Sequence, residues 1–88
     1  MNKVKSIKIY STSWCPDCFR SKSFLDEKGI KYENIDIEQK PEFVEVVKEI
    51  NNGMQSVPTI VIEYEEGSQK ILIEPSNKDL ADAIGVLE

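Results

Sequence analysis

The only two thiols in this chain are Cys15 and Cys18, three positions apart in Trp14-Cys15-Pro16-Asp17-Cys18. A C-x-x-C pair holds a metal or exchanges electrons as dithiol and disulfide. Histidine is absent, which excludes every Cys-His mechanism and leaves a zinc site short of its usual ligands, so no metal site is expected. Context favours redox chemistry: the motif follows a strand-like run, Val4 to Tyr10, and precedes a helical one ending near Lys28. If Cys15 caps that helix, orphan backbone N–H groups and the positive end of the macrodipole favour its thiolate over its thiol. Cys18, one turn on, then lies on the same side, close enough to resolve a mixed disulfide or close a short one. Pro16 suits the first helical turn, where no N–H is needed and a helical φ is already set. Arg20 and Lys22 help the thiolate and Asp17 opposes it, so Asp17 and Arg20 are expected to tune the nucleophile.

The elements that must position this pair follow from periodicity. Val4, Ile7, Ile9 and Tyr10 form a β-branched run expected to be buried on both faces. The first helix, from Pro16 or Asp17 to Lys28, carries Cys18, Phe24 and Leu25 inward and stops at Gly29, while Phe19 falls off that stripe. A strand from Tyr32 to Ile37 follows so closely that the three elements imply a βαβ unit with parallel strands. Phe43, Val46, Val47 and Ile50 then mark an amphipathic helix opened by Pro41 and ended by Asn51-Asn52-Gly53. Val57-Pro58 precedes a third strand, Thr59 to Ile62, and an X-Pro bond in such a turn is one of the few places where a cis peptide is expected at all. A hairpin loop, Tyr64 to Ser68, leads into an antiparallel fourth strand, Lys70 to Ile73. Ser76 and Asp79 have capping-box spacing, and Leu80, Ala83, Ile84 and Leu87 repeat helically behind them. The order is β-α-β-α-β-β-α.

The 88 residues are expected to form one domain, 1–88, with a single core. Apolar residues at 40% and charged residues at 31% place it among ordinary globular chains. With a net charge of −5 and its lysines scattered, it lacks the clustered positive charge a nucleic-acid partner demands. The Met1-Asn2-Lys3 start and the run broken by Lys5 and Lys8 make neither a secretory core nor a membrane span. A cytoplasmic monomer is expected, and there a C-x-x-C is more often catalytic or metal-binding than a structural bridge.

Several segments together make the chain resemble the glutaredoxin family of thioredoxin-fold proteins over nearly its full length. They are Ile9 through Cys18 with Arg20 and Lys22, Ile30-Lys31-Tyr32, Ile35 through Glu38, and Asn52-Gly53 with Ser56-Val57-Pro58-Thr59. The resemblance implies an α/β, thioredoxin-like fold, a four-stranded mixed sheet flanked by three helices. It also implies a cis Pro58 facing the disulfide and a Val57 backbone that pairs with the thiol substrate as an added strand, Pro58 having no N–H to compete. Trp14, beside the thiol, and Thr59, after the proline, are the further candidates for contact with substrate, although a large aromatic is as readily a core residue and Thr59 is most simply a β-branched strand residue. Asn77 and Lys78 begin the last helix, where backbone N–H groups can take a carboxylate. Glutathione-using members carry a Lys where this chain has Thr12, and a Gly-Gly pair and an Asp where it has Pro75-Ser76 and Lys78. The Pro-Ser opening is similar to the mycoredoxin-type branch, which serves a different low-molecular-weight thiol.

The expected activity is thiol-disulfide exchange on protein or small-molecule mixed disulfides. No cofactor is expected beyond the Cys15–Cys18 disulfide itself, with glutathione, another small thiol or a flavoprotein reductase supplying electrons. Two other classes share the framework. One is a carrier holding a [2Fe–2S] cluster between subunits through the first cysteine, which would show as visible colour. The other is a non-catalytic interaction module, which would turn over no disulfide.

Overall fold

The computed structural model describes residues 3–87, so the Met1-Asn2 start lies outside the described residues. Four strands, β1 (Val4–Ser11), β2 (Glu33–Asp36), β3 (Thr59–Tyr64) and β4 (Gln69–Ile73), form one sheet in the order β2-β1-β3-β4. β1 and β2 are parallel, with Lys8 opposite Glu33 and Ser11 opposite Asp36. β3 runs antiparallel to β1, pairing Ile9 with Ile60, and β4 antiparallel to β3, pairing Ile60 with Leu72. The helices are α1 (Pro16–Glu27), α2 (Val44–Ile50) and α3 (Asn77–Ile84). Among the described residues no helix is long and apolar enough to cross a membrane.

Period-2 alternation sends the sheet's side chains into two cores. On one face Ile7, Ile9, Ile60 and Ile62 pack with Phe24 and Leu25 of α1 and Leu80, Ala81 and Ala83 of α3. On the other, Tyr10, Ile35 and Ile37 pack with Val47 of α2 and with half-buried Phe43, Val46 and Ile50 around it. β1 is therefore not buried on both faces along its length as its composition suggested: Lys5, Ser6 and Lys8 are exposed, and continuous burial begins only at Ile9. β2 is shorter than expected, and β3 runs on to Tyr64, whose hydroxyl donates to the Ala83 carbonyl at 2.6 Å and ties β3 to α3.

Two further differences concern helix ends. Pro41–Phe43 is a single 3₁₀ turn, the Phe43 N–H bonding back to the Lys40 carbonyl at 3.0 Å, and α2 proper begins only at Val44. α3 ends at Ile84 because Gly85 turns left-handed (φ 77°) and its N–H bonds the Ala81 carbonyl at 2.9 Å. Leu87, expected on the apolar stripe, falls beyond that stop and is 87% exposed. The two loops that matter, Thr12–Cys15 after β1 and Ser56–Pro58 before β3, emerge at the same end of neighbouring antiparallel strands, where Tyr10 faces Thr59.

Candidate active site

Cys15 is the N-cap of α1, in extended conformation (φ −87°, ψ 111°), with Pro16 in the first turn behind it. Its Sγ accepts the Cys18 backbone N–H at 3.1 Å, satisfying one of the helix's orphan donors with sulfur in place of the usual side-chain oxygen. Across the site, the Cys15 thiol donates to the Val57 carbonyl at 3.8 Å. Both cysteines are free thiols. Cys15 sits lower in the surface than its place at a helix tip suggested, with 6% of its area exposed.

Cys18 has none exposed. Burial, and then the hydrogen bond its thiol donates to Cys15, push its pKa up to about 12, against the pull of the Thr12 backbone and the Lys22 charge. At neutral pH Cys18 holds its proton. Thr12 is itself buried, and its hydroxyl has no hydrogen-bond partner.

The loop opposite Cys15 is fixed from behind. The Val57–Pro58 peptide is cis, Val57 is half-buried and Pro58 fully buried. Thr59, expected to face substrate, does not reach the surface: its side chain has no exposed area, and its hydroxyl donates to the Ser56 carbonyl at 2.7 Å while accepting from Asn51 Nδ2 at 2.8 Å. A strand residue adjoining the sheet's core turns inward, and here it closes the loop on itself. Asn51 is the member that sequence reasoning missed. It looked like a helix terminator, yet it is buried and aimed at Thr59, and only the loop's return past the end of α2 makes the pairing.

The remaining expected residues lie at three places. Trp14 is 67% exposed beside Cys15, and Phe19 just after Cys18 is 71% exposed. With Met54, also exposed on the loop leading to Val57, they give the motif-bearing segments an apolar surface. Asn77 is half-buried in the first turn of α3, its Oδ1 buried without a partner, while exposed Lys78 pairs with Asp82 at 3.1 Å, one turn along the helix. Ser76 caps that helix by accepting the Asp79 N–H at 3.1 Å. Asp17 and Arg20 are paired with each other: Arg20 Nη1 holds Asp17 Oδ1 at 3.1 Å, and Nη2 donates to the Pro75 carbonyl at 3.2 Å.

A dithiol capping a helix, opposite a cis proline on a four-stranded mixed sheet, defines a thioredoxin-fold redox site. The family model for glutaredoxin matches residues 7–66, and the chain belongs to the glutaredoxin family. Mycoredoxin 1 of Corynebacterium glutamicum is 38% identical over 65 residues, 74% of this chain and 77% of that protein. A protein of Bacillus subtilis named N-acetyl-S-hydroxy-L-cysteine reductase is 32% identical over 69 residues, 78% of this chain and 71% of its own length. Among solved structures, the glutaredoxin of Archaeoglobus fulgidus superposes with a TM-score of 0.73 at 27% identity, covering 90% of this chain and 85% of that one. The chain is a thiol-disulfide oxidoreductase, and Cys15 and Cys18 are the two free thiols at its candidate site.

Proposed function

We propose that the protein reduces mixed disulfides between a protein or metabolite and a low-molecular-weight thiol, with Cys15 attacking and Cys18 resolving. The observation that carries this reading is the unequal treatment of the two sulfurs. Cys15 receives a backbone N–H at a helix N-terminus, which stabilises negative charge, while Cys18 is buried and holds its proton.

The Cys15 thiolate attacks one sulfur of R–S–S–R′, forming Cys15–S–S–R as the old S–S bond breaks and R′S⁻ leaves to be protonated by water. Cys18 then attacks the Cys15 sulfur. RS⁻ departs as the Cys18 proton is given up, leaving the Cys15–Cys18 disulfide. Two electrons from small thiols or a flavoprotein reductase restore the dithiol. Once Cys15 is ionised, the Val57 carbonyl loses its S–H donor and becomes free to accept an N–H from an extended substrate, with Pro58 packed behind it. Trp14 offers an apolar platform next to the nucleophile, and Asn77 and Lys78 at the α3 N-terminus suit the carboxylate of a small thiol.

Thr12 and Lys78 stand where glutathione-using members carry Lys and Asp, which supports a small thiol other than glutathione. The test is reduction of a mixed-disulfide substrate by the full chain, with glutathione, other small thiols and a thioredoxin reductase supplied in turn. The name of the Bacillus relative makes an S-hydroxycysteine a sensible further substrate in the same assay. Turnover by a small thiol, fastest with one other than glutathione, is the expected result. Absence of turnover with every donor would remove the reading.

A further inference from the structure

The contacts around Cys15 form a ring. Cys15 touches the Val57 carbonyl at 3.8 Å, and Val57 is joined through its cis peptide to Pro58. The Pro58 carbonyl accepts the Glu74 N–H at 2.9 Å. Glu74 is held at φ 48°, the left-handed region that non-glycine residues seldom occupy, and leads into buried Pro75. The Pro75 carbonyl takes Arg20 Nη2 at 3.2 Å, and Arg20 Nη1 returns to Asp17 at 3.1 Å, two residues from Cys15. Arg20 is the link that closes this ring between α1 and the segment opening α3.

We propose that Arg20 is a positioning residue: its guanidinium latches the Pro75-Ser76 segment to the first turn of α1, fixing the distance between the Cys15 sulfur and the N-terminus of α3 at which the small-thiol half of a mixed disulfide docks. This rests on the oxidoreductase reading above and goes beyond it by assigning Arg20 a geometric role in substrate binding. A purely electrostatic role is weakened by the pairing itself, because the Arg20 charge is matched by Asp17 at contact and both side chains are about half exposed. The planar fork is what allows one side chain to serve two acceptors 58 positions apart in sequence, Asp17 and Pro75. An ammonium of the same charge is a single point that cannot span both. Pro75 has no N–H of its own, so its carbonyl is its only backbone hold on the rest of the fold.

The test compares Arg20→Lys and Arg20→Ala in the full chain. Its readouts are amide hydrogen exchange at Asp79 and Leu80, whose N–H groups bond to Ser76, steady-state reduction of a small-thiol mixed disulfide, and alkylation of Cys15. The latch predicts that both variants exchange these two amides about three- to tenfold faster and raise KM by a similar factor, as loss of one half-exposed hydrogen bond, whose charge is screened by solvent, implies. It also predicts that kcat and Cys15 alkylation change by less than about twofold. An Arg20→Lys variant matching the parent in exchange and KM, with Arg20→Ala altering Cys15 alkylation, would make Arg20 a charge tuner and overturn the proposal. Unchanged exchange in both variants, or faster exchange with an unchanged KM, overturns it as well. Should the parent chain reduce no mixed disulfide at all, the functional reading falls, while the exchange measurement still decides whether the latch exists.

Discussion

The inequality of the two thiols can be measured by removing one of them. A thiol with an ordinary pKa of ~8.5 is roughly 3% ionised at neutral pH. Cys18, pushed up to about 12, is a thiolate in roughly one molecule in 10⁵ at the same pH. Ionisation alone thus slows its alkylation about 10³-fold relative to a free thiol, and its complete burial slows it further. In Cys15→Ser the Cys15 contributions to that shift disappear, but burial, the largest cause, remains. Cys18 in that variant is therefore expected to react with iodoacetamide at least about 10²-fold more slowly than free cysteine. The sign with pH follows: raising pH depletes the protonated form, so the Cys18 rate climbs through the alkaline range and levels off only above the range of ordinary thiols. In the parent protein, peptide mapping after brief alkylation should find the label on Cys15. Labelling of Cys18 first, or a Cys18 rate that plateaus where a free thiol's does, would refute the reasoning.

Thr59→Val keeps the shape of the side chain but leaves the Asn51 amide and the Ser56 carbonyl without their partner; a stability loss of about 1–3 kcal/mol is expected by denaturant titration, with slower disulfide turnover as the loop loosens. Unchanged stability would mean that the hydroxyl does not hold the loop. Tyr64→Phe removes the donor to the Ala83 carbonyl and should cost about 1–2 kcal/mol without altering Cys15 alkylation, which separates anchoring of α3 from chemistry at α1. Asp17→Asn removes a negative charge near the redox pair, so the reduction potential measured against a thiol redox buffer should rise, by no more than about 30 mV because the charge is half exposed and already paired. A fall in potential would reverse the sign assigned to Asp17.

What was legible in the sequence was local. A proline after Cys15, a Val-Pro before a β-branched run, and a Ser three residues before an Asp each declare their backbone geometry within a few positions. The N-cap and the Ser76 cap follow from them, while the cis form of the Val57–Pro58 peptide is implied by the family resemblance. The parallel β1–β2 pair and the β3–β4 hairpin follow nearly as directly from their short connections, whereas the pairing of β1 with β3 does not. What could not be read depends on which distant segments meet. The inward turn of Thr59 is fixed by Asn51, and Arg20 finds the Pro75 carbonyl 55 residues away; neither partner carries a motif. Helical periodicity also overstated α2 and α3, since it counts apolar spacing but not the 3₁₀ turn at Pro41 or the left-handed stop at Gly85.

The most direct measurement is covalent trapping. Each single-cysteine variant is incubated with a small-thiol mixed disulfide, and the adduct is located by mass spectrometry of its peptides. In Cys18→Ser the adduct is predicted to accumulate on Cys15, since the attacking sulfur remains and nothing resolves the intermediate. An adduct that forms on Cys18 in Cys15→Ser, with none on Cys15 in the companion variant, would contradict the assignment of Cys15 as the sulfur that attacks.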